Sequence, residues 1–349
     1  MINSNNKQPL VSICIPTYNV EKTITETLTS VVNQTYKNIE IIISENASTD
    51  NTLTILNTFN DPRLRIHKNN KTVSAEKNWN KCIELASGDY IAIFHADDLY
   101  MPDMVEKQVK AFIDNPSIGA VFTTATYINE HGEKIGESKF PDMLKGKRIY
   151  DFKDIFFASL RNGTFLMTPS AMVRSDIYKE LTPFNYEQFR SSADLDMWLR
   201  ILEKHPVVIL EERLLNYRIS KSQGSYTLGY LHTEKSDFLK TMDHYLSVKS
   251  ENLNIPGDIL DSYEIKRSFD NLLRAVNHLI KGEPQDAKKL IGESLTLKVF
   301  TASMDYAEKL KFIIYCIIGM IFSILIRLGF GLYLGKGMHW LLYSGKQRI

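Results

Sequence analysis

KNWNKCIELASGDYIAIFHADD, Lys77 to Asp98, is the stretch on which the reading of the fold turns. Ser74 to Ala86 has the pattern of a helix. Tyr90 to Phe94 is a short apolar run of buried-strand type, and polarity returns at His95-Ala96-Asp97-Asp98. The same arrangement repeats on either side. Upstream, Leu10 to Pro16 reads as a buried strand through Val11, Ile13 and Ile15, and Pro16-Thr17-Tyr18-Asn19 breaks it. Asn19 is placed to cap a helix that carries Val20, Ile24, Leu28 and Val31 on one face. Ile39 and Ile41 to Ile43 make a second strand that ends in Glu45-Asn46-Ala47-Ser48-Thr49-Asp50, with Asp50 as a helix cap. Leu64 to His67 makes a short third strand. Downstream, Pro102 stands where a first-turn proline starts a helix, and Val121 and Phe122 begin a further strand. Near-continuous apolar strands alternating with helices predict an α/β fold with a parallel sheet covered on both faces. Ligands of such sheets bind at the C-terminal strand ends, where Thr17 and Tyr18, Glu45 and Asn46, and Asp97 and Asp98 cluster.

Composition removes several classes of function. The 349 residues are 44% hydrophobic and 24% charged, which is globular rather than disordered. Lys+Arg is 42 against 41 for Asp+Glu, a net charge of +1 without the basic excess of a nucleic-acid binder. Cys14, Cys82 and Cys316 are far apart and lack metal-ligand spacing, which argues for a reducing compartment and against a disulfide framework or zinc site. No Gly-x-Gly-x-x-Gly follows the first strand, and no phosphate loop ending in Gly-Lys-Ser/Thr is present, so dinucleotide and P-loop chemistry are set aside. Pro16-Thr17-Tyr18-Asn19 is not the glycine-rich basic loop of a nucleotidyltransferase. The paired carboxylates Asp97-Asp98 suit a hard divalent ion, Mg2+ or Mn2+, bridging a diphosphate, although adjacent aspartates also occur in solvated turns and caps.

Four blocks, taken in order, resemble glycosyltransferase family 2: VSICIPTYNVEKTI (11–24), SENASTDNT (44–52), KNWNKCIELASGDYIAIFHADD (77–98) and ADLDMWLRI (193–201). The resemblance covers about Val11 to Tyr217 and implies a GT-A fold, a Rossmann-like arrangement for nucleotide-diphospho-sugar transfer. It implies that Thr17 and Tyr18 line the base and ribose pocket, that Glu45 and Asn46 contact the base, and that Lys77 lies near the nucleotide. Asp97 would then hold the ribose or assist at the metal, Asp98 would bind Mn2+ or Mg2+, and Asp194 would be the catalytic base. From its local pattern alone, Asp194 near a helix start also fits an N-cap. Three positions depart from the family pattern: Glu45-Asn46 replaces an acid pair, Ala193 replaces an acid, and Ser220 stands where many members have a histidine. The Gln-x-x-Arg-Trp block of processive synthases is missing. The implied activity is single-sugar transfer, with inversion, from a nucleoside-diphosphate sugar to a hydroxyl of a glycan or lipid-linked acceptor. The departures motivate an alternative, a non-catalytic sugar-nucleotide-binding scaffold. His95 reads as a wall residue rather than a ligand, Asp196 as a holder of a neighbouring loop or the acceptor, and Arg174 and Arg218 as phosphate contacts or partners of nearby acids.

The chain changes character twice. From about Tyr226 to Asp305 the pattern is helical, with Ile265, Phe269, Leu272, Leu273, Val276 and Leu279 in register. Phe312 to Leu334 is almost wholly apolar and equals roughly 34 Å of helix, about the thickness of a bilayer core. Lys311, Tyr315, Gly319, Ser323 and Arg327 recur every four residues, and positive charge flanks both ends, so an orientation is not fixed. These shifts give three regions: a glycosyltransferase domain at 1–225, a helical extension at 226–308 and a membrane-associated segment at 309–349. The expected place is the cytoplasmic face of a membrane, reached by a span or an interfacial helix through residues 312–334.

Overall fold

The computed structural model describes residues 8–220, 231–296, 299 and 309–343. Residues 226–230 and 300–308 of the expected helical stretch, and Lys346 and Arg348 near the end, lie outside the described residues. The chain divides into two units, residues 1–158 with 164–220, and residues 159–163 with 221–349.

The first unit is built on one ten-stranded sheet. Its strands are β1 (Val11–Thr17), β2 (Ile39–Glu45), β3 (Leu64–Lys68), β4 (Tyr90–Ile93), β5 (Leu99–Tyr100), β6 (Ala120–Ile128), β7 (Lys134–Glu137), β8 (Ile149–Tyr150), β9 (Met172–Arg174) and β10 (Val207–Arg218). The main path runs β3-β2-β1-β4-β9-β6-β10-β5. The helices are α1 (Ile24–Val32), α2 (Thr52–Leu56), α3 (Ala75–Leu85), α4 (Met104–Asp114), α5 (Phe152–Asn162, whose last residues belong to the second unit), α6 (Ser175–Glu180), α7 (Tyr186–Phe189) and α8 (Ala193–Leu202).

β1 is buried along its length because two parallel neighbours flank it, with Val11 opposite Ile39 on β2 and opposite Tyr90 on β4. The apolar faces of α1 and α4 close over it through Ile24, Leu28, Val31, Val105, Val109 and Phe112. The connections leave β1 to one side for β2 and β3 and return on the other for β4, so the order reverses between β1 and β4. In sheets of this kind ligands bind at that point, outside the C-terminal strand ends.

Two expectations are corrected here. The sheet is mixed rather than parallel throughout. β9 runs antiparallel between β4 and β6, held by Ser170, whose hydroxyl accepts from Thr123 N at 3.1 Å and donates to Met167 O at 2.7 Å. β6 and β10 therefore point the same way as β1 and β4, and their ends add to the same edge. Asn19 is not a helix cap. It has a left-handed backbone (φ 52°), its side chain accepts from Thr49 N at 2.8 Å, and α1 begins five residues later, after Thr23.

In the second unit lie α9 (Asp237–Leu253), α10 (Gly257–Lys281), α11 (Pro284–Ser294), α12 (Lys309–Arg327) and α13 (Gly331–Tyr343). Gly282 ends α10 in the left-handed conformation, and Pro284 starts α11. Leu272, Ala275, Leu279, Ala287, Leu290, Ile291 and Ile326 form a core among α10, α11 and α12. The continuous helix expected over Phe312–Leu334 is broken. Gly329 takes φ 86°, which ends α12 at Arg327 and lets α13 start at Gly331. Among the described residues no helix is long and apolar enough to cross a membrane.

Candidate active site

The site lies in the first unit, where β1, β2 and β4 end side by side. Thr17 is buried and closes β1, and its carbonyl accepts from Asn46 N at 2.9 Å. Tyr18 follows and is 46% exposed. The two loops behind it are laced together: Asn19 N donates to Ser48 Oγ (3.1 Å), Val20 N to Thr52 Oγ1 (2.8 Å) and Glu21 N to Asp50 Oδ2 (3.1 Å). Asp50 Oδ1 also accepts from Thr52 N at the start of α2. Ala47, at φ 55°, turns the chain so that this lacing can form.

Glu45 is fully buried. One of its oxygens accepts from Ser48 N at 2.6 Å, and Oε2 has no hydrogen-bond partner. Asn46 is spent on its own protein: Nδ2 donates to Val73 O at 2.8 Å, and Oδ1 accepts from Val73 N at 2.9 Å and from Asn69 at 3.1 Å. The amide thus clamps the loop ahead of α3, a task for which an aspartate would lack the donor. Lys77 is exposed on α3.

β4 delivers the chemistry. His95, Asp97 and Asp98 each offer a ligand atom, and these atoms lie within 4.8 Å of one another. Asp98 is fully buried. Its Oδ1 accepts from Arg218 N at 2.8 Å, and Oδ2, 3.8 Å from His95 Nδ1, has no hydrogen-bond partner. Burial, reinforced by the neighbouring Asp97 charge, pushes the Asp98 carboxyl well above the usual carboxylate range. A buried carboxylate oxygen left bare beside a second acid and an imidazole fits a divalent cation, which would supply the missing countercharge. Burial holds the His95 imidazole below its ordinary value, favouring the neutral form a metal requires. The His95 ring also packs on Trp79 with centroids 5.5 Å apart, in keeping with the wall role expected of it, while its Nδ1 faces Asp98.

Asp194 comes from the second position of α8, behind the N-cap Ser192. It is half-buried, with Oδ2 accepting from Thr168 Oγ1 at 2.6 Å and Oδ1 accepting from Leu195 N at 2.7 Å. Burial raises its carboxyl above the ordinary aspartate value, and the Thr168 hydrogen bond opposes that rise. The His95 ring feels both Asp97 and Asp194, and the Tyr217 hydroxyl, itself pushed up by burial, feels Asp97, Asp98 and Asp194. The three aspartates singled out in sequence therefore share one electrostatic environment.

The remaining polar residues hold the frame. Arg218 is buried. Its Nε donates to Asp97 O (2.8 Å), one terminal nitrogen to Asn129 O and Glu130 O (3.2 and 3.0 Å), and the other to Glu26 (2.7 Å). Arg174 pairs with Asp176 on the surface. Asp196 holds Arg200 (2.9 Å), which in turn grips Thr182 O (2.7 Å) and so fixes the loop before Phe184. Thr168 and Trp79 escaped the reading of the sequence. A lone threonine before a proline carries no motif, and Trp79 at helical spacing looks like core.

A sheet with its order reversal between β1 and β4, and with acids converging there, has the form of a GT-A fold. The comparisons agree. The model of glycosyl transferase family 2 matches residues 12–182. An uncharacterized glycosyltransferase of Methanocaldococcus jannaschii is 36% identical over 218 residues, covering 61% of this chain and 71% of that protein. The chain belongs to glycosyltransferase family 2. A hyaluronan synthase of Pasteurella multocida is 31% identical over 290 residues, 76% of this chain but only 28% of that longer protein. Among solved structures, S. aureus TarS 1–349 in complex with UDP-GlcNAc superposes with a TM-score of 0.59 at 18% identity, covering 91% of this chain and 92% of that one. A Pyrobaculum calidifontis mannosyltransferase in complex with GDP-Man and Mn2+ gives 0.51 at 15% identity, covering 91% and 88%. Both share the fold.

Proposed function

We propose that this glycosyltransferase is inverting and metal-dependent, and that it moves one sugar from a nucleoside-diphosphate donor to a hydroxyl of a glycan or lipid-linked acceptor. The observation that carries the reading is the bare, buried Asp98 Oδ2 beside His95 and Asp97, in one electrostatic environment with Asp194. Asp98, with Asp97 and His95, would hold Mn2+ or Mg2+, which when bound neutralises the charge that grows on the departing diphosphate. Tyr18 would offer its exposed ring to the base, Thr17, Glu45 and Asn46 stand at the ends of β1 and β2, and the exposed Lys77 of α3 would reach the nucleotide. Asp194, its carboxyl raised by burial and oriented by Thr168, accepts the proton of the acceptor hydroxyl as it attacks the anomeric carbon. A single base opposite the leaving group gives inversion. The free, buried Cys14 and Cys82 favour a reducing compartment, the cytoplasmic face of a membrane. The absence of the processive block supports one transfer per encounter. The GDP-Man and Mn2+ complex of the mannosyltransferase supports the donor and metal assignments by analogy of fold.

Thermal shifts with a panel of nucleoside diphosphates, with and without Mn2+, test the site. One nucleotide at about a hundred times its dissociation constant should stabilise the parent by about 2.7 kcal/mol. The shift should need the metal and vanish in Asp98→Ala. Asp194→Ala should keep the shift and lose transfer. A parent that binds nucleotide yet never turns over any donor would favour the scaffold reading, and pyrophosphate release would favour a nucleotidyltransferase.

A further inference from the structure

α12 and α13 invert the usual logic of a water-facing helix. The sides turned to the rest of the second unit bring three glycines into close contact, alongside Phe322, Ile326 and Leu334. Gly319 sits so close to α10 that a Cβ would stand 3.1 Å from Leu272 Cδ2, and a Cβ on Gly335 would overlap the Leu279 carbonyl oxygen at 1.9 Å. A Cβ on Gly331 would meet Pro284 at 2.7 Å. Cys316 and Ile326 are buried on this inner side. The outer side carries the bulk: Ile317, Ile321, Ile324, Leu328, Phe330 and Leu332 are 46% to 65% exposed. A helix pair that buries glycines and shows isoleucines to solvent costs free energy in water, unless another apolar phase covers it.

Charge identifies the cover. From Lys309 to Ile349 there is no Asp or Glu, while Lys309, Lys311, Arg327, Lys336, Lys346 and Arg348 are basic. Arg327 and Lys336 are exposed and sit beside the apolar residues, where their stems can lie along the apolar face and their charges reach headgroup phosphates. A protein partner would call for no such one-signed rim. A bilayer rich in anionic lipid does. A span is the wrong geometry: the chain breaks at Gly329, and one side of each helix is already packed on α10 or α11, which carry charged residues of their own.

We propose that α12 and α13 form a monotopic dock that lies in the headgroup plane of an anionic membrane, with Ile317, Ile321, Ile324, Leu328, Phe330 and Leu332 immersed. This deepens the membrane side of the proposed function and stands independently of the donor chemistry.

Flotation of the full chain with lipid vesicles tests it. The parent should float with phosphatidylcholine vesicles containing phosphatidylglycerol, more weakly with pure phosphatidylcholine, and less as salt rises. The triple variant Ile317→Ser/Ile321→Ser/Ile324→Ser should lose partitioning about a hundredfold or more, because exposed residues are changed and the fold is kept. Arg327→Gln/Lys336→Gln should lose about fivefold per charge on the anionic vesicles alone. Circular dichroism and the nucleotide-dependent thermal shift of each variant should match the parent, which separates a failure here from a failure at the donor site. The proposal is overturned if the parent floats with neither vesicle or if the triple variant floats like the parent. It is overturned too if the chain resists alkaline carbonate extraction as a span does, or if the parent is a dimer that the triple variant dissolves, which would make a second copy the cover.

Discussion

Two opposed influences act on Asp194, the proposed base. Burial disfavours its charge, and the Thr168 hydroxyl at 2.6 Å favours it. The base acts ionised, so transfer should rise with pH through a limb that lies above the ordinary aspartate value. Thr168→Val keeps the shape and removes the hydrogen bond that lowers the value. The limb should move upward by about one pH unit, since a hydrogen bond to a charged group contributes about 1.5 kcal/mol or more. A pH profile of kcat for the two proteins checks this, and an unmoved limb would mean that another group sets it. Asn46 shows the converse case. Its position suggests base contact, yet both ends of its amide are engaged by Val73 and Asn69, so any contact with base must come through the loop that it clamps.

At the level of elements, the site is a product of register. β1 and β2 stop level, Thr17 opposite Glu45, whereas β4 ends at Ile93 opposite Cys14, three residues short, and the chain runs on there as His95-Ala96-Asp97-Asp98. β10 joins them through Arg218, which ties the end of that strand to the Asp97 carbonyl, to the turn at Asn129 and Glu130, and to Glu26 on α1. Arg218→Met would take the guanidinium donor from the Asp97 and Glu130 carbonyl oxygens, while Asn129 O keeps Gly132 N. It should lower stability by about 3 kcal/mol and weaken the Mn2+ response, because the loop that presents Asp97 and Asp98 loses its brace. Thermal melting with and without Mn2+ measures both effects. Melting unchanged from the parent would show that water replaces the guanidinium at no cost.

For the whole molecule, function and stability pull on the same carboxylate. Asp98 has a raised folded value, so the stability it contributes is complete below the unfolded aspartate value and is lost as pH rises through the folded one. In the metal-free protein the Asp98 charge is buried and bare once pH exceeds that folded value. Asp98→Asn should raise the melting temperature of the metal-free chain by the equivalent of about 1 kcal/mol where pH exceeds the folded value, bring little gain below it, and abolish both metal-dependent stabilisation and transfer. A calorimetric series against pH distinguishes this from simple loss of fold, and a variant destabilised above that value would refute it. Surface pairs act in the opposite sense. Asp61, lowered chiefly by its hydrogen bonds from Arg63, contributes stability above the ordinary aspartate value that is lost as pH falls through the folded one.

Local pattern was enough to determine much of this protein. Strands β1 to β4, helix α3, the acids at the strand ends and the place of Asp194 at the start of α8 are legible because side-chain period and turn chemistry act over a few residues. The family could be read from the same blocks. Tertiary structure alone decided the rest. β9 runs against its neighbours because Ser170 binds Thr123, 47 positions away. Thr168 meets Asp194 across 26 positions, and His95 turns from wall to possible ligand only because Asp98 is left bare beside it. The apolar run at 312–334 conceals the break at Gly329 and the inward glycines, because hydrophobicity says that a residue avoids water but not which surface will cover it.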